Sequence, residues 1–282
     1  MASLFDKLKL PPHQSGELPL PDGSVLPYVL AGTGESPIVM LPGFWDGLLP
    51  VHEAGEIYAR RLQPRLKTHL FVILGRRHPL PENFGIEKLA EDAALAVEKL
   101  GIGSAYWECT SAGGPIGQAL AVKRPDLVRG LILSCTFHRS SPHTQEIFQD
   151  WLALLQEGQW EDFVWSLVLY THRPGNLRRD KLTRPYLVGP ERSLKYPQRI
   201  INLLAPLKDF DHRLLLPDIQ APAVVIGGLS DRLIPAEIQR EMSDLITTCR
   251  ARLYPNFGHH NDVENPEHAA EVEKFIQRTT KS

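Results

Sequence analysis

The run Trp107-Glu108-Cys109-Thr110-Ser111-Ala112-Gly113-Gly114 decides how the rest of the chain is read. Before it, Gly103-Ser104-Ala105-Tyr106-Trp107 reads as a short, aromatic-rich strand leaving a turn. After it, the stretch from Pro115 reads as a helix that Pro125 ends, because proline lacks the N–H that a helix interior needs. Ser111 therefore stands at the corner between strand and helix, with the small residues Cys109 two before it and Gly113 two after. Such a corner aims the first unpaired amides of the helix at one spot, a setting that suits negative charge.

Outward from that corner the chain alternates between two patterns. Pro37-Ile38-Val39-Met40-Leu41 is an unbroken apolar run, as expected of a strand covered on both faces of a parallel sheet, and it leads into the loop Pro42-Gly43-Phe44-Trp45-Asp46-Gly47. A helix through about 52–64 is followed by the strand Leu70–Leu74. Ile86, Leu89, Ala90, Ala93, Val97 and Leu100 fall on one helical stripe that Gly101 stops. A further strand covers Val128–Cys135. Upstream, residues 17–31 read as two strands around an Asp22-Gly23 turn. Gly32-Thr33-Gly34 reads as a connector and not as a phosphate loop, since no Lys-Ser/Thr follows it.

From about 138 to 217 the strand rhythm stops. The segment is helical and aromatic, with Phe148, Trp151, Trp160, Phe163, Trp165, Tyr170, Tyr186 and Tyr196. The rhythm resumes with the strand from Ala223, a helix over Pro235–Ile246, the strand Arg250–Tyr254, and a terminal helix opened by Asn265-Pro266. Strands alternating with helices imply an α/β fold with a mostly parallel, doubly wound sheet. Residues 1–137 and 218–282 form its core, and 138–217 is a helical insertion laid over it before the last strands.

Bulk properties narrow the function. The 282 residues are 43% hydrophobic and 23% charged, with a formal net charge of −2. No dense basic block is present, which argues against nucleic acid as a partner. The N-terminal stretch has no long apolar run, so neither a signal peptide nor a membrane span is expected, and the simplest setting is the cytoplasm. Three widely spaced cysteines, Cys109, Cys135 and Cys249, support neither a disulfide framework nor a zinc site. His138, His143 and His212 have no spacing that suggests a metal.

Two more stretches follow predicted strands: Gly228-Leu229-Ser230-Asp231-Arg232-Leu233-Ile234-Pro235, and Asn256-Phe257-Gly258-His259-His260-Asn261-Asp262. With the corner at Ser111, they give the chain order Ser, Asp, His. This set resembles the α/β-hydrolase family, whose nucleophile elbow is written G-x-S-x-G and whose triad has that order. The resemblance covers about residues 16–280. It implies Ser111 as nucleophile, Asp231 as triad acid and His259, directly after Gly258, as base, with His260 the rival. It also implies the backbone N–H groups of Phe44 and Ala112 as oxyanion donors. In the elbow, strand and helix backbones crowd positions i−2 and i+2, hence the small residues there.

The chain departs from the family pattern in three places. Cys109 replaces the leading glycine, and is read as a buried packing thiol. Pro42-Gly43 stands where many relatives have His-Gly. Gly75-Arg76-Arg77-His78 replaces a common Asp-x-Arg-Gly, and reads as a solvated loop in preference to an anion site. The resemblance implies no metal and no cofactor. The substrate expected is a small, apolar carboxylic ester or lactone, touched by Trp45, Trp151 and Trp165. Other members of the family are carbon–carbon bond hydrolases, amidases, aminopeptidases, cofactor-free haloperoxidases or small-molecule receptors, and these motifs do not separate them.

Overall fold

The structure, a computed structural model, describes residues 12–172 and 195–280. The position Tyr186 and the middle of the 138–217 segment therefore lie outside the described residues.

Eight strands form one sheet in the order β1-β2-β4-β3-β5-β6-β7-β8. They are β1 (His13–Pro19), β2 (Val25–Ala31), β3 (Ser36–Leu41), β4 (His69–Leu74), β5 (Ala105–Thr110), β6 (Val128–Ser134), β7 (Ala223–Gly228) and β8 (Cys249–Tyr254). β1 and β2 form an antiparallel hairpin, β2 is antiparallel to β4, and every other neighbouring pair is parallel. The hairpin turns at Gly23 with φ of 83°, a conformation glycine enters without a Cβ penalty. The helices are α1 (Trp45–Leu48), α2 (Gly55–Leu62), α3 (Ile86–Lys99), α4 (Gly113–Lys123), α5 (Pro142–Gln156), α6 (Trp160–Thr171), α7 (Pro197–Lys208), α8 (Ala236–Leu245), α9 (Asn261–Glu264) and α10 (Glu267–Thr280).

The central strands are hydrophobic on both faces because both are covered. Val39, Leu41, Trp107, Cys109, Leu131 and Leu133 pack into one core with Leu89, Ala93, Ile116 and Leu120 of α3 and α4. Ile38, Met40, Phe71, Ile73, Tyr106 and Ile132 face the opposite core, against Val272, Phe275 and Ile276 of α10. Alternate residues thus feed opposite layers, the period expected of a strand. The parallel strands end at one edge, which places the loops after β3, β5, β7 and β8 side by side.

Several element boundaries differ from the sequence reading, and β1 starts at His13, four residues before the expected Glu17. The helix expected through 52–64 is broken into a 3-10 turn at Val51–Glu53, the helix α2, and a second 3-10 turn at Gln63–Arg65. Pro64 carries no N–H for continued helical bonding, so the chain tightens there. β5 lies two to three residues later than the Gly103–Trp107 reading. α4 starts at Gly113, directly behind the corner.

Between β6 and β7 the described residues contain helices α5, α6 and α7 and no strand. The ends of this segment meet. His212 N–H donates to His138 O at 2.7 Å and Ser140 N–H donates to Phe210 O at 2.9 Å. Among the described residues no helix is long and apolar enough to cross a membrane.

The replacement of glycine by Cys109 has a packing explanation. A Cβ placed on Gly117 of α4 would stand 2.4 Å from Cys109 Sγ, so the thiol occupies space that a bare glycine opposite leaves open. Gly117→Ala is expected to destabilise the fold by about 1–3 kcal/mol through overpacking. Adding Cys109→Gly should recover most of that loss, a coupling that denaturant unfolding of the single and double variants would read. Equal loss in the single and double variants would show that the thiol is not the obstacle.

Candidate active site

Ser111 has φ of 50°, in the left-handed region that a non-glycine residue enters only under constraint. The constraint comes from three directions. Ser111 N–H donates to Ser134 O at 2.9 Å, and Thr136 Oγ1 donates to Ser111 O at 2.6 Å. A Cβ on Gly113 would lie 2.1 Å from Leu41 O, and one on Gly114 would lie 1.9 Å from Thr136 Oγ1. Only glycine at both positions lets α4 start this close to β3 and β6.

The other two loops converge on the hydroxyl. β7 and β8 end in register, Gly228 opposite Tyr254, and Ser230 N–H donates to Phe257 O at 2.9 Å, so the two loops pack together. His259 Nε2 lies 2.8 Å from Ser111 Oγ, and His259 Nδ1 lies 2.9 Å from Asp231 Oδ2. Asp231 Oδ1 accepts the N–H groups of Leu233 and Ile234 at 3.0 and 2.9 Å. Those two bonds turn the carboxylate so that its other oxygen meets the imidazole. An ionised carboxylate accepts only, so Nδ1 carries the proton and Nε2 is free to accept from Ser111. Burial pulls the His259 imidazolium down, but the Asp231 carboxylate, by charge and hydrogen bond, more than offsets it and leaves the pKa above its ordinary value.

His260 stands apart from this chain. Its ring centre is 6.4 Å from that of His259, and its Nε2 accepts the indole N–H of Trp45 at 3.4 Å. Burial pushes its pKa down to about 3, with His172, His259 and Arg61 acting in the same direction and Asp262 opposing them.

The loop after β3 closes the third side. A Cβ on Gly43 would meet Ser111 Cβ at 3.0 Å, which is why the close approach needs glycine. The N–H groups of Phe44 and Ala112 find no acceptor among the described residues. Phe44 itself packs on Trp151 and Phe163, with ring centres 6.1 and 6.0 Å away.

A cavity of about 380 Å³ is lined by residues that include Ser111, His259, Gly43 and Phe44. Its walls are mainly apolar, with Phe148 and Trp151 from α5, Leu167 from α6, Leu204 and Leu207 from α7, and Phe137 and Leu233 from the core. Trp45 lines it too, but Trp165 does not. On α6 the buried face carries Phe163, Val164, Leu167, Val168 and Thr171, and at 100° per residue position 165 turns away from it. Trp165, expected as a substrate contact, is half-buried and is not among the residues that line the cavity. Trp151 reaches the cavity with its indole N–H satisfied by Ser166 Oγ at 2.9 Å.

Arg76 and Arg77 correct a second reading. They form neither a solvated loop nor a free anion site. Arg77 pairs with Asp92 and, at 2.6 Å, with Asp22. Arg76 is buried behind the Gly43 loop, its Nη1 donating to Gly43 O at 3.0 Å. Asp46 and Arg199 complete that cluster, and the sequence reading missed both. The available signal was a charge on an apolar stripe: Arg199 precedes the buried Leu203 and Leu207 at helical spacing.

With this geometry in place, the sequence model of the alpha/beta hydrolase fold matches residues 37–266. The chain belongs to the α/β-hydrolase family. This α/β-hydrolase is 26% identical over 204 residues to the Rhizobium rhizogenes protein named "Putative carbamate hydrolase RutD", covering 70% of this chain and 76% of that one. MGS-M2, an alpha/beta hydrolase enzyme from a Medee basin deep-sea metagenome library, superposes with a TM-score of 0.81 at 20% identity, over 93% of this chain and 97% of its own. A thermophilic esterase from Thermogutta terrifontis does so with 0.73 at 20% identity, over 94% and 99%.

Two expectations follow for the histidines. His259→Ala is expected to lower kcat by several orders of magnitude, and His260→Ala to cost far less, since only His259 bridges Ser111 and Asp231. Steady-state kinetics on any accepted substrate would read the ranking, and the reverse order would transfer the base to His260. With His259 as the expected base, activity would require it neutral, and the acid limb of kcat/KM should fall above the ordinary histidine value of 6.5. In Asp231→Asn the carboxylate that raises it is gone, and the limb of the residual activity should move to lower pH. An unmoved limb would show that another group titrates.

Proposed function

We propose that this hydrolase cleaves a carboxylic ester or lactone with an apolar acyl or alcohol part through a covalent acyl-enzyme. The observation that carries the reading is the continuous hydrogen-bonded chain from Asp231 through His259 to Ser111, opening into a mainly apolar cavity. In the first step His259 Nε2 takes the Ser111 hydroxyl proton as Oγ bonds to the substrate carbonyl carbon. The carbonyl π pair moves onto oxygen, and the amides of Phe44 and Ala112 receive that oxyanion. Collapse breaks the bond to the alcohol oxygen, which leaves with the proton that His259 returns. Water then attacks the acyl-Ser111 ester by the same route, giving the acid and free serine. Asp231 holds the ring in the required tautomer and stabilises the imidazolium while it exists.

In this reading residues 138–217 act as a cap whose ends close at His138 and His212. The apolar walls of α5, α6 and α7 select the substrate. Peptides would bring amides that those walls leave unpaired, which costs free energy. Carbamates deserve inclusion because of the relative named above: a carbamate presents the same trigonal carbon to Ser111 and would pass through the same adduct.

A series of p-nitrophenyl esters from acetate to decanoate, with a p-nitrophenyl carbamate and an aminoacyl p-nitroanilide, tests the proposal. Each buried methylene is worth about 0.8 kcal/mol, so kcat/KM should rise about threefold to fourfold per carbon until the cavity is full. Ser111→Ala should lose nearly all turnover and all labelling by a fluorophosphonate probe. A flat dependence on chain length, or faster cleavage of the anilide, would replace the ester reading with an amidase or aminopeptidase. Faster turnover of the carbamate than of every ester would make carbamates the substrate class.

A further inference from the structure

The cluster behind the Gly43 loop carries a charge imbalance. Asp46, Arg76 and Arg199 are all buried, their side chains 0%, 3% and 3% exposed. Asp46 Oδ2 accepts Arg199 Nη2 at 3.0 Å and the Arg76 backbone N–H at 3.0 Å, and lies 3.5 Å from Arg76 Nη1. Among the described residues Asp46 is the only carboxylate paired with either guanidinium. Arg199, from α7, also donates to Arg76 O at 2.9 Å and to Asp46 O at 3.3 Å. Two cations thus stand against one anion in a place that water does not reach.

Stability gives no reason to keep the second cation. A buried charge without its own partner is costly, and removing it would leave Asp46 and Arg199 as a balanced pair. Burial pulls the Arg76 pKa down, Asp46 opposes and Arg199 adds to the fall, yet an arginine still remains charged near neutrality. Two of its nitrogens, Nε and Nη2, find no acceptor among the described residues. The one side-chain bond it makes outside the ion pair is directed at the Gly43 carbonyl.

That carbonyl belongs to the peptide unit whose nitrogen is the Phe44 N–H. The bond is trans, so its C=O and N–H point in opposite directions. Holding the oxygen on Arg76 therefore aims the hydrogen away from the cluster, and Gly43 of the same peptide lies against Ser111, a Cβ on it falling 3.0 Å from Ser111 Cβ. A cation on the carbonyl oxygen also draws electron density from the amide nitrogen and makes its N–H a stronger donor, the cooperative effect of linked hydrogen bonds.

We propose that Arg76 is a positioning residue of the oxyanion hole, acting through the Gly43–Phe44 peptide, and that Arg199 of the cap holds it there. This rests on the serine-hydrolase reading above. Arg76 touches no substrate. It supplies orientation and an uncompensated buried positive charge for the moment when the substrate oxygen turns negative. Where relatives place a histidine before the glycine of this loop, the present chain has Pro42, and orientation comes from beneath.

The experiment compares wild type, Arg76→Met, Arg76→Lys and Arg199→Met in kcat and KM for p-nitrophenyl butyrate. It adds the inhibition constant of an alkyl boronic acid, which forms a tetrahedral anionic adduct on Ser111. Deleting an oxyanion donor typically costs about 10²–10³ in kcat, so weakening one without deleting it should cost about tenfold. Arg76→Met is expected to lose that factor in kcat, to weaken boronic-acid inhibition equally, and to keep KM within about twofold. Its melting temperature should stay near that of wild type, Arg76→Lys should recover part of the loss, and Arg199→Met should lose less than Arg76→Met. Unchanged kcat in Arg76→Met would overturn the proposal, as would equal deficits in all three variants or a kcat loss that tracks melting temperature. If Arg76→Met does not fold, Arg76→Gln takes its place, and kcat and boronic-acid inhibition unchanged from wild type in that variant would overturn it. Wild type that neither turns over the ester nor binds the boronic acid would instead refute the serine-hydrolase reading itself.

Discussion

Ser111 holds a left-handed backbone, and the rest of the site depends on the contacts that keep it there. A non-glycine residue in that region costs on the order of 1–2 kcal/mol. The strand β5 before it is fixed between β3 and β6, and the helix after it is pressed against Leu41 O and Thr136 through two glycines. Because the corner is over-determined, the hydroxyl stands above the sheet edge while the amide of Ala112 opens the helix beside it. A looser corner would relax to a right-handed turn and take both groups out of line.

The same economy of space explains the surrounding residues. Cys109 and Gly117 share one volume, Gly43 and Ser111 share another, and Gly228 lets the acid loop lie against the backbone of the histidine loop. Burial sets the chemical character of each group as well. It pushes the Cys109 thiol far above its ordinary pKa and makes it inert. It keeps His260 neutral, whereas His259, beside Asp231, is lifted. Adjacent histidines thus differ in character because His259 is hydrogen-bonded to a carboxylate and His260 to an indole N–H.

Much of this was legible in the chain. The unbroken apolar run Pro37–Leu41 marked a strand covered on both faces, the Asp22-Gly23 turn marked the hairpin, and Gly101 marked the end of a helix. The order Ser111, Asp231, His259 after three strands marked the residues that the fold brings within hydrogen-bond distance. What escaped was tertiary. Trp151 of α5 and Trp165 of α6 are equally aromatic in sequence, and only the packing of the two helices makes one a cavity wall and leaves the other off the lining. Arg76 and Arg77 read alike as loop cations, but the partners that bury them, Asp46, Asp92 and Arg199, lie far away in the chain. Ion pairs between distant segments leave no periodic trace, so a run of polar residues after a strand looks solvated whether or not it is.

The proposed mechanism turns on acylation of Ser111 Oγ. Rapid mixing with a p-nitrophenyl ester, acid quenching within the first turnovers and peptide mass analysis would test it most directly. The expected result is a single acyl group, replacing one hydrogen, on the peptide that contains Ser111 and on Ser111 itself. Turnover with no trappable adduct, even in a variant slowed at His259, or an acyl group on Cys109 or His260, would contradict it.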